Sequence, residues 1–213
     1  NNPLSGILVY TKLVHKQLSN PELGPEKRET MLKHLRLIEN EAKRCGEIVK
    51  GLLDFSRTDP ENFEPRHLHA ILKETFELMA HPIKIANINF YSDFAAMNDM
   101  ICCSPNQVKQ ACVALLVNAS EAVTENGEIV MRTLNAAEDT IRIEISDNGI
   151  GISPENLPHI FEPFFSTKNS TNGIGLGLAI VYGIIQSHKG KIQVRSEPGH
   201  GTTMSITLPL IKN

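Results

Sequence analysis

A chain of 213 residues that is 41% apolar can bury one sizeable core, or a small coiled element plus one domain of ordinary size. Its 21 Lys and Arg against 24 Asp and Glu leave a net charge of −3, which excludes a basic footprint for nucleic acid or anionic lipid and points to a small-molecule or protein partner. Cys45, Cys102, Cys103 and Cys112 show no C-x-x-C spacing, the histidines are scattered, and no run reaches the roughly 18 apolar residues of a membrane span. A zinc site, a disulfide framework and membrane contact within this segment are therefore not expected, and the default compartment is a reducing cytoplasm, with any membrane anchor belonging to a segment outside this sequence.

The opening stretch, NNPLSGILVYTKL, reads as the inside of a helix whose beginning lies upstream, with Leu4, Ile7, Leu8, Leu13, Val14 and Leu18 as its apolar residues. In the following SNPELGPE, Pro25 is placed to open a second helix and Glu26 favours its positive end. From there Met31, Leu35, Ile38, Ala42, Cys45, Val49 and Leu52 alternate steps of three and four, a heptad seam that Ile48 and Leu53 widen. The expectation is a helical hairpin over residues 1–58. Its stripe is too wide for one partner helix, so a second copy should complete a dimeric four-helix bundle, the alternative being a hairpin packed on the chain's own second domain.

The polar, proline-bearing SRTDPENFEP then marks a linker, taken as 59–65, ahead of a second domain over 66–213. That domain should open with a helix around 67–84 and a strand at 88–94. SPNQVKQACVALLVNASEAV, 104–123, carries Val108, Ala111, Cys112, Leu115, Leu116, Ala119 and Ala122 on one helical face. Strands follow at 127–134 and 140–147, the second alternating strictly, then a helix at 176–188 and a closing strand pair around the turn PGHG. Strands in runs with helices between them predict an α+β sandwich, one helical layer on a mixed sheet.

Two glycine clusters, DNGIGI at 147–152 and NGIGLGL at 172–178, carry most of the chemical signal. Either alone is weak: the first could be a turn, and the second lacks the preceding strand of a dinucleotide fingerprint. The second cluster runs into a helix, where loose N–H groups and the helix dipole suit a phosphate. The first holds Asp147 at a strand end, where an acceptor can read an exocyclic amine such as that of adenine. Asn118, mid-helix, is either a core amide or a neutral oxygen ligand for Mg²⁺, and Lys168 is either solvated or a contact for a terminal phosphate.

In order and spacing, NQVKQACVALLVNASEA, DNGIGI, FEPFFSTK, NGIGLGL and GHGTTMSITLP resemble the N, G1, F, G2 and terminal Gly-Thr boxes of the histidine protein kinases. The opening resembles the nitrogen-regulator-like branch of that family, whose phosphoacceptor helix reads His-Glu-Ile-Asn-Asn-Pro-Leu. The resemblance spans the whole chain and implies an ATP-dependent kinase that phosphorylates its own histidine, passes the phosphate to an aspartate on the receiver domain of a response regulator, and acts as that regulator's phosphatase. It places the phosphoacceptor three positions before Asn1, outside this sequence. It makes Asp147 the adenine-reading aspartate, with Ala122, Gly149, Gly151 and Ile152 shaping the base pocket and Thr202 or Thr203 supporting it. Asn118 becomes the Mg²⁺ ligand. Gly173, Gly175, Leu176, Gly177 and Leu178 become the phosphate cradle, under a lid over roughly 166–175 that carries Lys168. Asn2 becomes the residue that orients water for the phosphatase step, and Leu4, Ile7 and Tyr10 contacts for the regulator. His15 and His34 lack the motif's neighbours and are read as structural or solvated.

Two departures from the family pattern are Ala114, where many members have an asparagine, and Glu121, where others have a lysine. Gyrase-type and chaperone ATPases share the ATP fold but use a carboxylate at the position of Ala114, so water activation by that route is not open here. The remaining alternative is a nucleotide-binding pseudokinase that serves as a dimeric scaffold.

Overall fold

The computed structural model describes residues 3–19, 24–56, 63–124, 126–137, 139–167 and 175–211. The chain divides into two compact units, one built on the first 57 residues and the other on residues 58–165 and 175–213. Among the described residues no helix is long and apolar enough to cross a membrane.

The first unit is the expected hairpin, α1 (Pro3–Leu18) and α2 (Pro25–Ser56). Pro25 is the first residue of α2, where its missing N–H is no loss, and Glu26 follows it against the helix dipole. The i,i+4 pairs Glu29–Lys33 and Glu39–Lys43 lie on its solvent side. Within one hairpin the stripe read off the heptads is covered only in part. Among the described side chains of α2, Met31, His34, Ile38, Glu41 and Cys45 are buried or half-buried, whereas Leu35 and Ala42 face outward. His34 stacks on Tyr10 with ring centroids 5.7 Å apart, and Gly6 lets α1 approach the Glu41 side chain. The side chains of Ile48, Val49, Leu52 and Leu53 lie outside the described residues. A single hairpin leaves Leu4, Leu8, Leu13, Leu18, Leu32 and Leu35 exposed.

The second unit is the predicted α+β sandwich. Its elements are β1 (Glu64–His67), α3 (Leu68–Ile85), β2 (Asn89–Phe94), β3 (Met100–Cys103), α4 (Pro105–Ala122), β4 (Glu128–Ala137), β5 (Thr140–Asp147), α5 (Gly177–Ser187), β6 (Lys191–Glu197) and β7 (Gly201–Pro209), with a short 3-10 turn at Leu157–His159. Five strands form one sheet in the order β2-β4-β5-β7-β6; β2 and β4 are parallel and every other pair is antiparallel. The strict alternation of β5 turns Ile141, Ile143 and Ile145 into the core and leaves Arg142, Glu144 and Ser146 on the outer face. The inner face meets Leu68 and Leu72 of α3, Leu115 and Leu116 of α4 and Ile185 of α5, all nearly or fully buried. Each such side chain contributes about 1.5–3 kcal/mol by leaving water.

Two strands appear that the pattern did not predict. β1 and β3 pair antiparallel as a separate ribbon, and β1 begins at Glu64, inside the stretch read as linker. The ribbon is knotted to the start of α3 by Asp99, which accepts bonds from His67 Nδ1 at 2.8 Å and the His69 N–H at 3.0 Å. Burial pushes the Asp99 carboxyl up, but these bonds outweigh it and hold the group below its ordinary range.

Candidate functional site

The sheet register sets the site. Asp147, the last residue of β5, lies opposite Ile129 at the start of β4 and Thr202 at the start of β7. Its carboxylate is half-buried, and both of its hydrogen bonds fall on Oδ1, from the Gly149 N–H at 2.9 Å and the Thr202 N–H at 3.3 Å. Among the described residues Oδ2 accepts no bond. Burial pushes the carboxyl up from its ordinary value and the two N–H groups oppose that shift. The result is an ionisable acceptor with one oxygen anchored to the main chain and the other open to a donor.

The glycine loop after Asp147 is clamped on two sides. Ile150 N–H donates to the Ala122 carbonyl at 3.0 Å, seating the loop on the C-terminus of α4, and a Cβ at Gly149 would stand 2.4 Å from that same oxygen. On the other side, the Ile152 N–H donates to Ser196 Oγ at 2.8 Å and the Gly199 N–H to the Ile150 carbonyl at 2.8 Å. Gly151 has φ +70, and a Cβ there would lie 2.1 Å from the Glu197 carbonyl oxygen. These glycines therefore let the loop pack between α4 and the β6–β7 turn while Asp147 stays at its mouth. Ile152 itself is half-buried against the core.

Asn118 lies one turn before Ala122 on α4, on the same side of the helix. The residue is half-buried, and its amide makes no hydrogen bond among the described residues, which leaves its oxygen open to a ligand. Ala114, one turn earlier still, packs against the core. The C-terminus of α5 is tied to the N-terminus of α4 by His188, whose Nδ1–H donates to the Ile184 carbonyl at 2.7 Å while Nε2 accepts the Ser104 N–H at 3.0 Å. The two helices pack along one another, so the 11 residues of α5 run back some distance toward the C-terminal end of α4. At a rise of about 1.5 Å per residue that length is about 16 Å, which brings the start of α5 to about the turn bearing Ala114, one turn short of Asn118.

At that start, among the described residues, no side chain caps the helix, Gly177 is exposed, and a Cβ on it would meet nothing within 4 Å. The first N–H groups of the helix and the positive end of its dipole are thus left without a side-chain partner among the described residues. Leu176 is buried and Leu178 half-buried against the core, so these two offer the cradle main chain only. Gly175 joins it to the preceding segment, its carbonyl accepting the Phe164 N–H at 2.9 Å.

Of the two threonines, Thr202 holds the Asp147 end: it is buried, its N–H reaches the carboxylate, and its Oγ1 lies 2.9 Å from Ser196 Oγ. The Thr203 side chain is on the opposite face of the sheet, 3.0 Å from Ser146 Oγ. The alternation Thr202, Met204, Ile206, Leu208 carried that distinction in the sequence. Ser196 and His188, both missed in the sequence, have no local motif; their roles come from strand pairing and from contacts far along the chain. Lys168, Gly173 and Asn2 lie outside the described residues, as does most of the expected lid.

Residues 103–212 match the histidine kinase-, DNA gyrase B- and HSP90-like ATPase family, and residues 1–61 match the His Kinase A (phospho-acceptor) domain. The chain belongs to this ATPase family, in the two-domain arrangement of the sensor histidine kinases. Sporulation kinase E of Bacillus subtilis (strain 168) is 33% identical over 180 residues, 84% of this chain and 24% of that protein. The histidine-protein kinase AtoS of Escherichia coli (strain K12) is 32% identical over 209 residues, 98% of this chain and 33% of that protein. Among solved structures, histidine kinase ThkA in complex with the response regulator protein TrrA superposes with a TM-score of 0.70 at 28% identity, covering 99% of this chain and 58% of that one. The chain thus spans about a quarter to a third of the length of these curated relatives. The second unit is an ATP-binding domain.

Proposed function

We propose that this chain is the kinase core of a two-component signalling protein, working in the cytoplasm as a homodimer. It binds Mg-ATP, phosphorylates a histidine of its own hairpin and passes the phosphoryl group to an aspartate on a response regulator. The observation that carries the reading is Asp147. A carboxylate anchored through one oxygen and open at the other, at the mouth of a glycine-clamped loop, is suited to hold an adenine amine and thereby register the phosphates on α5. ThkA, solved with a response regulator bound, supports the class of partner.

In this mechanism the protein contributes position and charge. Asp147 would fix the base, the N–H groups from Gly177 onward would hold the phosphate oxygens, and Asn118 would offer its amide oxygen to Mg²⁺, which when bound would supply neutralisation of the phosphate charge. Lys168 and Gly173 are proposed to close over the terminal phosphate. The phosphoacceptor is the histidine that the motif sets three positions before Asn1, and Asn2 is proposed to orient water when the regulator is dephosphorylated. Ala114 supplies no carboxylate to activate water, which favours transfer over hydrolysis.

Calorimetric titration tests the metal assignment. Asn118→Ala is expected to weaken ATP binding about tenfold in Mg²⁺ and by less than about twofold in EDTA, the loss of one ligand to a charged group. Equal losses in both buffers would return Asn118 to the core.

The dimer rests on the exposed leucines of the hairpin. Leu8 and Leu35 are 56% and 48% exposed in the single chain, a stripe that a second hairpin would cover. Ile38 is half-buried within the hairpin itself, so Leu35 is the better probe of association. Leu35→Glu is expected to convert dimer to monomer in light scattering while leaving ATP affinity unchanged. A Leu35→Glu dimer, or a monomeric parent chain at the same concentration, would contradict the bundle.

A further inference from the structure

The outer face of the sheet, away from the helices, holds an open concavity of about 340 Å³ lined by Arg132, Arg142, Glu144, Gln193, Arg195 and Ser205 among others. Arg132 comes from β4, Arg142 from β5 and Arg195 from β6, so three strands of the sheet bring guanidinium groups to one concavity in a chain whose net charge is negative. A single carboxylate, Glu144, belongs to the concavity. Its distance to Arg142 Nη1 is 3.8 Å, beyond a hydrogen bond.

Neither Arg132 nor Arg195 forms an ion pair among the described residues, although Asp93 lies beside Arg132 in the register and Glu197 follows Arg195 on the same face. The Nε of Arg142 is buried with no hydrogen-bond partner. An unsatisfied buried donor is unfavourable, and three gathered guanidinium groups repel one another, so the fold maintains here a deficit of negative charge and of acceptors. Ser146 and Thr203 hydroxyls, 3.0 Å apart, and Ser205 add donors on the floor. Strands β4 and β6 are three sheet spacings apart, about 14 Å, so arginines leaning in from both sides converge over β5 and β7 on a group a few ångströms across.

The geometry points to a binding site for a small polyanion, a compound carrying two or more phosphate or carboxylate charges, on the face opposite the helical layer and independent of the nucleotide site. Arg142 and Arg195 hold the anion in bidentate fashion, Arg132 neutralises its far end, and Glu144 orients Arg142.

The test is a titration of the ¹⁵N-labelled chain with inorganic pyrophosphate in EDTA, read by amide shifts, with tricarballylate as the carboxylate arm. Saturable shifts at Arg142, Glu144, Gln193, Arg195, Thr203 and Ser205 are expected, weakened about tenfold or more in Arg142→Gln/Arg195→Gln and weakened by added NaCl. A response to pyrophosphate alone would assign the site to phosphate compounds, and one to both probes to polyanions generally. Should the double variant lose its amide dispersion, Arg195→Gln alone, an exposed residue on the edge strand, carries the test with a loss of at least about threefold. Shifts confined to residues 147–152 and 175–180, equal affinity in folded variants, or tighter binding of a glutamate-rich peptide at the same amides would each overturn the proposal.

Discussion

Asp147→Asn is expected to remove most ATP affinity and leave the fold as stable as before, or more so. Asparagine keeps an oxygen where Oδ1 accepts the Gly149 and Thr202 N–H groups, so the loop retains its anchor. At the position of Oδ2, however, an NH₂ group would face the adenine amine, donor against donor. Losing a charged acceptor and creating that mismatch should weaken binding by about 1.5–3 kcal/mol, roughly one to two decades. The stability half follows from linkage. Burial raises the folded-state pKa of Asp147, so the folded chain holds this proton more tightly than the unfolded chain does. Stability from this group is therefore fully present below its ordinary pKa and is lost as pH rises through the raised one. At neutral pH the ionised side chain opposes folding, and the neutral amide relieves it. Thermal melts at pH 7 paired with calorimetry check both halves; unchanged ATP affinity would take Asp147 out of the site.

Gly151→Ala should have the largest effect on the fold. Its φ of +70 already disfavours a side chain, and the added Cβ would sit 2.1 Å from the Glu197 carbonyl oxygen, a main-chain atom that cannot turn away. Strain and displacement of the β6–β7 turn together should destabilise the second unit by about 3 kcal/mol, a melting shift of roughly 6–12 °C for a domain of this size. Gly177→Ala is the informative contrast. Its Cβ would meet none of the described residues at the start of α5, so stability should hold to within about 0.5 kcal/mol while ATP binding falls, because the methyl group occupies the room proposed for phosphate. Equal melting of the Gly151→Ala chain and its parent would mean the loop is not clamped as described.

The sandwich was legible where period and burial agree. The isoleucines of β5 and the apolar face of α4 announce both element and orientation, because each packs on one layer and so repeats with one period. β1 was not legible. Glu64, Pro65, Arg66 and His67 show no alternation, and what makes them a strand is a ladder to β3 and the Asp99 bonds more than thirty residues away. In the hairpin the heptads mark the helix and a stripe that one chain covers in part, Met31, Ile38 and Cys45 being shielded and Leu35 exposed. Leu35 and His34 are adjacent, and which one turns inward is decided by Tyr10 on the other helix, which stacks on the imidazole. The site divides similarly: Asp147 and the glycine clusters stand out in one dimension, whereas the tie between His188 and Ser104 that sets α5 against α4 exists only once the chain has folded.

Phosphohistidine formation tests the central claim most directly. Incubated with Mg-ATP labelled at the γ-phosphate, the 213-residue chain should take up no label, since none of its eight histidines stands in the His-Glu-Ile-Asn-Asn motif. A chain extended upstream through that His-Glu-Ile segment and the helix before it should become labelled, and the label should be lost to acid and survive base. Replacing the added histidine by Gln, or Asp147 by Asn within the extended chain, should abolish the signal. Acid-stable label on the 213-residue chain, or an extended chain that binds Mg-ATP and forms no acid-labile phosphate, would contradict the assignment of this protein as a histidine kinase core.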